Sequence, residues 1–433
     1  MRILRKILRT LLVIIPSALA LVVGVYLAEA YFAYEVWEIE LGTGGRIERA
    51  ARDAGADWDS RTKEEMIRDM IAEGKDTYPT FAPSVYWDVN GLAYKGDRIM
   101  PFGGVSRSWA VFCQEMGPWS AYPTDEYGFN NPLGLYKKGA LDAAVIGDSF
   151  VNGACVEPGD DITGIMRSEG IKAVNLGIGG VGPVTYLAVQ REFAKPVEPK
   201  IVFWVFYAVD IRDSVAEVQS DILKNYLDDP DFTQNLAARQ DEIDAFLRDY
   251  LATEYEKRLN QLTELRQKRR EIITARLIDE GLRLKRVKER LRNMGGRDEV
   301  TEGREEQKLG LLKTALQRAK AETESWGGKF VFVYIPDWYA YHGGYDTYGI
   351  KIDDNFLLRQ DVLKMVKEMG IDVVDVEGEI FDKHPDPLSL YNWRTYGHYT
   401  PEGYRLIGER MAAEAEKILA DRESGSGTDA TSN

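Results

Sequence analysis

The sequence predicts an α/β protein with a parallel, doubly wound sheet, preceded by a membrane-spanning helix and interrupted by a long helical insertion. Three observations lead to this fold class. After residue 141, continuous apolar runs alternate with helical segments. Residues 11–28 form an apolar stretch without charge behind a basic N-terminus. Roughly residues 226–325, between the third and fourth apolar runs, are rich in Leu, Arg, Lys and Glu.

The composition argues against some classes of protein. With 44% hydrophobic and 29% charged residues, the chain of 433 residues is neither disordered as a whole nor wholly embedded in a membrane. Its net charge of −15 argues against a nucleic-acid partner, because contacts to phosphates need clustered Lys and Arg.

The N-terminus has the pattern of a signal anchor. Four basic residues in MRILRKILR precede an apolar run that is long enough to cross a bilayer as a helix. Because basic flanks stay in the cytoplasm, residues 1–32 are expected to form a single-pass anchor in the cell (inner) membrane. The main domain would then lie outside the cytoplasm, in the periplasm. The sequence AEA at 28–30 resembles a cleavage site, so a cleaved signal peptide stays open as the alternative.

The rest of the chain is expected to fold in four parts. Residues 33–140 are expected to form an irregular, β-rich region. A short acidic helical stretch runs to about residue 75, and from there to about residue 138 the chain is aromatic and punctuated by Gly and Pro, which predicts short strands and turns. Residues 141–225 and 326–420 form the α/β domain, and residues 421–433 form a disordered tail. Five apolar runs predict the buried strands of that domain: LDAAVIG, IKAVNLG, KIVFWVFYAVD, KFVFVYIPD and IDVVDVEG.

The insertion at 226–325 has apolar residues at helical intervals and a break at NMGGRDEV, which predicts a helical hairpin. Its two helices either pack on each other in solvent or form an arm for oligomerisation or for docking a partner. The sequence does not choose between these two roles.

Candidate site residues follow the predicted strands, at the sheet edge where open parallel sheets bind ligands. Ser149 follows the first strand, and a turn that includes Gly179 and Gly180 follows the second. Glycines leave backbone N–H groups open to a developing oxyanion. His398 lies on the loop before a well-capped C-terminal helix, where it is placed to accept a proton from Ser149. A packing or solvated role is the alternative for a lone histidine on a loop.

Several motifs together resemble the SGNH (GDSL-type) hydrolase superfamily. They are GDSF at 147–150, NLGIGG at 175–180 and GHYTPEGYRL at 397–406. DEYGFNNP at 125–132 and PKIVFW at 199–204 extend the similarity to membrane-anchored SGNH-like proteins of bacterial polysaccharide biosynthesis. The resemblance covers residues 141–220 and 326–418, and it implies a flavodoxin-like α/β fold with a serine nucleophile that acts on esters.

The resemblance also assigns roles to individual residues. It makes Ser149 the nucleophile, His398 the general base, and the backbone N–H groups of Ser149 and Gly180 the oxyanion donors. Gly179 belongs to the same turn, and Asp148 is expected to stabilise the turn at the serine.

Two departures from the family pattern concern groups that assist the serine and the histidine. Val209 stands where the family has an Asn that donates to the oxyanion, and the loss of one such donor typically slows the reaction by about 10²–10³. The acid that orients the histidine usually lies two or three residues before it, where this chain has Tyr396 and Thr395. Asp382 and Asp386 are the nearby candidates for that role, and a backbone carbonyl is a further alternative.

The sequence predicts no metal site and no cofactor. It has no CxxC or HExxH motif, few histidines, and no phosphate-binding or dinucleotide-binding fingerprint. Cys113 and Cys155 either form a disulfide, which an oxidising compartment permits, or remain separate buried thiols.

Two functions from different classes follow. The first is an extracytoplasmic serine esterase or O-acyltransferase acting on an acylated carbohydrate, with a multispanning acyltransferase as the expected partner if the chain transfers acyl groups. The second is a catalytically degenerate SGNH domain that acts as a binding or assembly protein in an envelope polysaccharide system. The altered positions favour the second function, and the serine, the glycine turn and the histidine favour the first.

Overall fold

A computed structural model describes residues 2–82, 90–207, 209–288, 299–342 and 353–426. Its α-helices are α1 (Arg2–Asp53), α2 (Lys63–Ala72), α3 (Ser149–Asn152), α4 (Ile162–Ser168), α5 (Pro183–Val189), α6 (Asp210–Glu217), α7 (Asp221–Asp228), α8 (Gln240–Tyr250), α9 (Glu256–Leu282), α10 (Glu299–Ser325), α11 (Asp353–Glu368), α12 (Val376–Glu379) and α13 (Pro401–Ser426). Its strands are β1 (Thr77–Pro79), β2 (Leu92–Tyr94), β3 (Asp97–Ile99), β4 (Trp109–Val111), β5 (Ala121–Pro123), β6 (Ala143–Gly147), β7 (Ala173–Gly177), β8 (Ile201–Tyr207), β9 (Lys329–Ile335) and β10 (Asp372–Asp375).

The main sheet has five strands in the order β7-β6-β8-β9-β10, and every neighbouring pair is parallel. All residues of β6, β7 and β8 are buried, as expected for strands covered on both faces. Each of the five predicted apolar runs contains one of these strands. The predicted α/β class with a parallel sheet is therefore confirmed.

The chain between Thr77 and Pro123 carries the short strands β1 to β5, in a three-stranded and a two-stranded sheet. Buried polar side chains join this region to the main sheet. Asn131 donates from Nδ2 to Asp125 Oδ2 and to the Asn175 carbonyl of β7, both at 2.8 Å, and its Oδ1 accepts from the Asn175 N–H at 2.7 Å. The DEYGFNNP motif therefore connects the N-terminal region to the sheet.

The chain divides into two compact units. One consists of Met1–Arg46, Lys257–Glu302 and Tyr345–Ile352, and the other of Ile47–Glu256, Gly303–Gly344 and Asp353–Asn433. The sheet and the candidate site residues lie in the second unit.

In the first unit, α1 contacts the segment that follows α9. Glu29 is buried and accepts hydrogen bonds from Arg286 Nη1 at 3.2 Å and from the Val287 N–H at 2.8 Å. Leu12–Tyr34 of α1 is a helical segment whose length and mean hydropathy of 2.2 suffice to cross a membrane. These properties fit a membrane anchor and a signal sequence equally well.

Two further expectations concern the helical segments. Helices α9 and α10 occupy most of the predicted hairpin, but residues 289–298, which contain most of the predicted break, lie outside the described residues. At the C-terminus, α13 continues to Ser426, into the segment expected to be a disordered tail. Residues such as Ala, Glu and Lys before that point favour a helix, which explains the extension. Residues 427–433 lie outside the described residues.

Candidate active site

Ser149 lies at the carboxyl end of β6, on the first turn of α3. Gly147 makes this turn possible, because a Cβ at that position would lie 2.4 Å from Val151 Cγ2 and 2.8 Å from the Val205 carbonyl oxygen. Asp148 caps the helix and accepts from the Phe150 N–H at 2.9 Å. Asp148 thus caps the turn that presents the serine.

His398 reaches the serine from the other end of the chain. Its Nε2 lies 2.8 Å from Ser149 Oγ, although the two residues are 249 positions apart. The ring packs beside Phe150, with centroids 4.8 Å apart. The segments before and after His398 pair through an isolated bridge between Tyr391 and Tyr399. The hydroxyls of both tyrosines donate to the Pro336 carbonyl, just after β9. These contacts fix the histidine loop over the sheet edge.

The other nitrogen of the imidazole faces Glu115, a residue that the sequence analysis missed. Glu115 Oε1 lies 2.9 Å from His398 Nδ1, and Oε2 accepts from the His398 backbone N–H at 2.8 Å. Asn392 Nδ2 donates to the same Oε2 at 3.2 Å, and Trp393 Nε1 donates to the Glu115 carbonyl. A carboxylate in this place favours the tautomer with the proton on Nδ1, which leaves Nε2 free to accept from the serine.

The two acids proposed to orient the histidine have other partners. Asp386 forms an ion pair with Arg394, and Asp382 accepts from the Tyr341 hydroxyl at 2.9 Å. The expectation for these two residues therefore needs correction, because their loop directs both carboxylates to these neighbours. Thr395, at a position usual for the family acid, donates to the Asn392 carbonyl at 3.0 Å.

The glycine turn lies next to the serine. A Cβ on Gly179 would lie 3.8 Å from Ser149 Cβ, and Gly180 has the left-handed φ of +72° with open space around it. In the described part of the chain, no hydrogen bond occupies the backbone N–H of Ser149 or of Gly180. Two unoccupied N–H groups beside a serine hydroxyl suit the binding of an oxyanion. Val209, by contrast, has no side-chain donor and precedes α6 without a capping bond.

A buried carboxylate holds the glycine turn in place. Glu217 accepts from the backbone N–H groups of Gly182 at 2.7 Å, Val184 at 3.0 Å and Thr185 at 3.3 Å. These are N–H groups at the start of α5, where a negative charge is favourable. Burial raises the pKa of Glu217 to about 7. No sequence pattern predicts this contact, because residue 217 follows a different strand.

The electrostatics of the serine, histidine and glutamate are mutually consistent. Burial alone would lower the pKa of His398, but the Glu115 carboxylate, assisted by Asp148, outweighs it and raises that pKa. Burial likewise would raise the pKa of Glu115, but the His398 ring and its hydrogen bonds lower it. Burial raises the pKa of Asp148 to about 6. The site therefore favours an ionised Glu115 and stabilises positive charge on the imidazole.

Cys113 and Cys155 form a disulfide with a Cα–Cα distance of 5.2 Å. A nitrogen of His398 lies within 4.8 Å of both sulfur atoms, so among the described residues these three side chains are close enough to share a metal ion. Two sulfurs bonded to each other are not thiolates, which is the form of cysteine that binds zinc. Cys155 has a left-handed φ of +64°, which costs an L-residue roughly 1–2 kcal/mol.

The arrangement can carry out nucleophilic acyl chemistry. The hydroxyl, the imidazole and the carboxylate are linked by hydrogen bonds in the order of a Ser-His-acid triad, with candidate oxyanion donors next to the hydroxyl. The His398 side chain is 22% exposed and Ser149 is half-buried, so both residues are partly open to solvent.

The sequence and the structure of this chain were each compared with those of known proteins. No protein-family model and no curated protein sequence matches the chain. A crystal structure described as that of "a putative acylhydrolase" from Bacteroides fragilis is similar to 66% of this chain and 92% of its own, with 14% identity and a TM-score of 0.33. Such a distant similarity decides neither the fold family nor the activity.

Proposed function

We propose that this protein is a membrane-anchored, extracytoplasmic serine esterase or O-acyltransferase that acts on an acylated carbohydrate. The observation that carries the proposal is the hydrogen-bonded chain Glu115–His398–Ser149 beside the glycine turn. The strand order β7-β6-β8-β9-β10 supports the SGNH-type fold, since it is the 2-1-3-4-5 order of flavodoxin-like sheets. The substrate class rests on the motif resemblance alone.

In the proposed mechanism, Ser149 Oγ attacks the acyl carbonyl while its proton moves to His398 Nε2. Glu115 stabilises the imidazolium that forms, and the backbone N–H groups of Ser149 and Gly180 bind the oxyanion. His398 then gives its proton to the leaving alkoxide, and an acyl-serine remains. Water or a sugar hydroxyl attacks this ester in the second half of the reaction, with His398 again as base. Water as the acceptor gives hydrolysis, and a sugar gives transfer.

The anchor and the partner are part of the proposal. The apolar segment of α1 would retain the protein in the cell membrane, and the basic residues before it would place the catalytic unit outside the cytoplasm. If the reaction is a transfer, a multispanning acyltransferase would supply the acyl group from the membrane.

The experiment compares the full chain in detergent with Ser149→Ala and with Ser168→Ala, a matched variant at an exposed serine. We expect the wild type and Ser168→Ala to hydrolyse acetyl esters and to react with a fluorophosphonate probe, and Ser149→Ala to do neither. The absence of both turnover and Ser149 labelling in the wild type would refute the enzymatic proposal. An added sugar acceptor distinguishes the two activities, because only a transferase forms the acylated sugar.

A second candidate function is a non-catalytic binding or assembly role in an envelope polysaccharide system. Val209 favours it, because this position lacks the side-chain donor of the related enzymes. The same labelling experiment separates the two functions, since a binding protein would show glycan affinity without labelling at Ser149.

A further inference from the structure

The Cys113–Cys155 disulfide joins the segments that carry two members of the triad. Cys113 lies two residues before Glu115, and Cys155 lies just after the short helix that begins at Ser149. Its sulfur atoms are also both within 4.8 Å of a nitrogen of His398. The covalent bond therefore fixes the distance between the acid and the nucleophile at the place where the histidine sits between them.

The segment that carries Glu115 has little regular structure of its own. It lies between β4 and β5, and the Ser120 N–H closes it on the Cys113 carbonyl at 2.9 Å. Gln114 Nε2 donates to the Asp59 and Gly117 carbonyls, and the Trp393 indole donates to the Glu115 carbonyl. These bonds hold the loop backbone, while the carboxylate must keep both oxygens on His398. A small shift of the loop would disturb that pairing.

We propose that Cys113 and Cys155 are positioning residues, whose disulfide holds Glu115 against His398 so that opening it slows acyl transfer without weakening substrate binding. This inference rests on the proposed function for its kinetic consequence. Reduction by a dithiol such as dithiothreitol supplies two electrons and two protons, breaks the S–S bond, leaves two thiols, and converts the reductant to its cyclic disulfide.

The kinetic test is a double-mutant cycle on the full chain in detergent. A displacement of about 1 Å in a catalytic group can cost about 10²-fold in rate, so Cys113→Ala/Cys155→Ala is expected to lower kcat about 10- to 100-fold with KM within about twofold. In a Glu115→Gln background, the same double replacement should lower kcat by less than about threefold, because the group it positions is already lost. Equal losses in both backgrounds would overturn the inference, since the disulfide would then act only on general stability.

Reversibility provides the matched control. Wild-type protein that is reduced, freed of dithiothreitol and assayed should match the double variant, and reoxidation should restore its kcat. The double variant itself should not respond to dithiothreitol. Persistence of full activity in reduced wild-type protein would also overturn the inference.

A measurement that needs no turnover separates failure of this inference from failure of the proposed function. Only three histidines are present, so the ring signals of His398 can be assigned by NMR against His398→Ala and titrated in Ser149→Ala protein. The charged groups that face the ring are Glu115 and Asp148. Since Glu115 raises the pKa of His398, opening the disulfide should lower that pKa. An unchanged pKa refutes the positioning role, whether or not the protein is an enzyme.

Discussion

Replacing Glu115 with Gln tests the catalytic arrangement most directly. The carboxylate accepts three hydrogen bonds, two from His398 and one from Asn392. An amide of the same shape has one oxygen and one NH₂ group. If its oxygen stays with the Asn392 amide and the His398 backbone N–H, its NH₂ faces Nδ1. The imidazole must then carry its proton on Nε2, where it can no longer accept from Ser149.

The expected magnitude follows from this loss of the correct tautomer. The corresponding change in a serine protease triad lowers kcat by about 10⁴. We expect a decrease of about 10²–10⁴, which is about 3–5.5 kcal/mol of transition-state stabilisation. KM should stay within about threefold, because Glu115 contacts the histidine and the surrounding loop.

The assay is kcat/KM for an acetyl ester against pH, in the wild type, Glu115→Gln and the surface control Glu409→Gln. The general base must be neutral, so the wild-type rate rises with pH through the raised pKa of His398. Without the carboxylate, burial lowers that pKa and the acid limb moves to lower pH. A Glu115→Gln protein with kcat within threefold of the wild type and the same acid limb would refute the triad.

Three further predictions concern the glycine turn, the buried acid Glu217 and the contact of Asn131 with the sheet. Gly180→Ala keeps the backbone N–H but disfavours the left-handed φ that aims it, so we expect a kcat lower by up to about 10²-fold. Gly170→Ala, at another open glycine with a left-handed φ, should lower only the thermal midpoint, and equal kcat in the two variants would count against the Gly180 N–H as an oxyanion donor. Thermal stability should fall between about pH 4.5 and pH 7, because folded Glu217 keeps its proton up to a pKa of about 7 while the unfolded chain loses it near 4.5. The difference is on the order of 3 kcal/mol. In a pH series of melting curves, Glu217→Gln should reduce this fall. Asn131→Ala should lower the free energy of unfolding by about 2–4 kcal/mol in urea titrations, since it leaves the Asn175 backbone N–H and carbonyl without their Asn131 partners and removes one of the hydrogen bonds to Asp125. A loss below about 1 kcal/mol would show that this contact does not hold the region.

The sequence predicted the sheet well because continuous apolar runs are a local signal. The strand LDAAVIG illustrates both the strength and the limit of that signal. Within this apolar run, β6 starts at Ala143 rather than at Leu141. Pairing with β7 and β8 sets this boundary, and the sequence pattern does not show pairing. The positions of Ser149 and His398 also followed from local context, namely the end of a strand and the start of a capped helix.

The acid was not predictable in the same way. Glu115 belongs to an irregular loop and meets His398 across 283 residues of sequence, so no spacing relates the two. Asp382 and Asp386 were attractive only because they are close to the histidine in sequence. The two cysteines were the one sequence signal that pointed to Glu115, because pairing of Cys113 with Cys155 brings residue 115 to the end of the helix that carries Ser149.

The long separation of the three triad members in sequence has a consequence for the timing of activity. The acid precedes the sheet, the nucleophile ends its first strand, and the base comes after its last one. A chain emerging from the ribosome or a translocation channel therefore has no complete triad until nearly all of it has been delivered and folded. The contacts that span 249 and 283 residues cannot form before both ends of those spans are present. Under the proposed function, reactivity at Ser149 would therefore report completed folding, and partly folded chains would not attack esters.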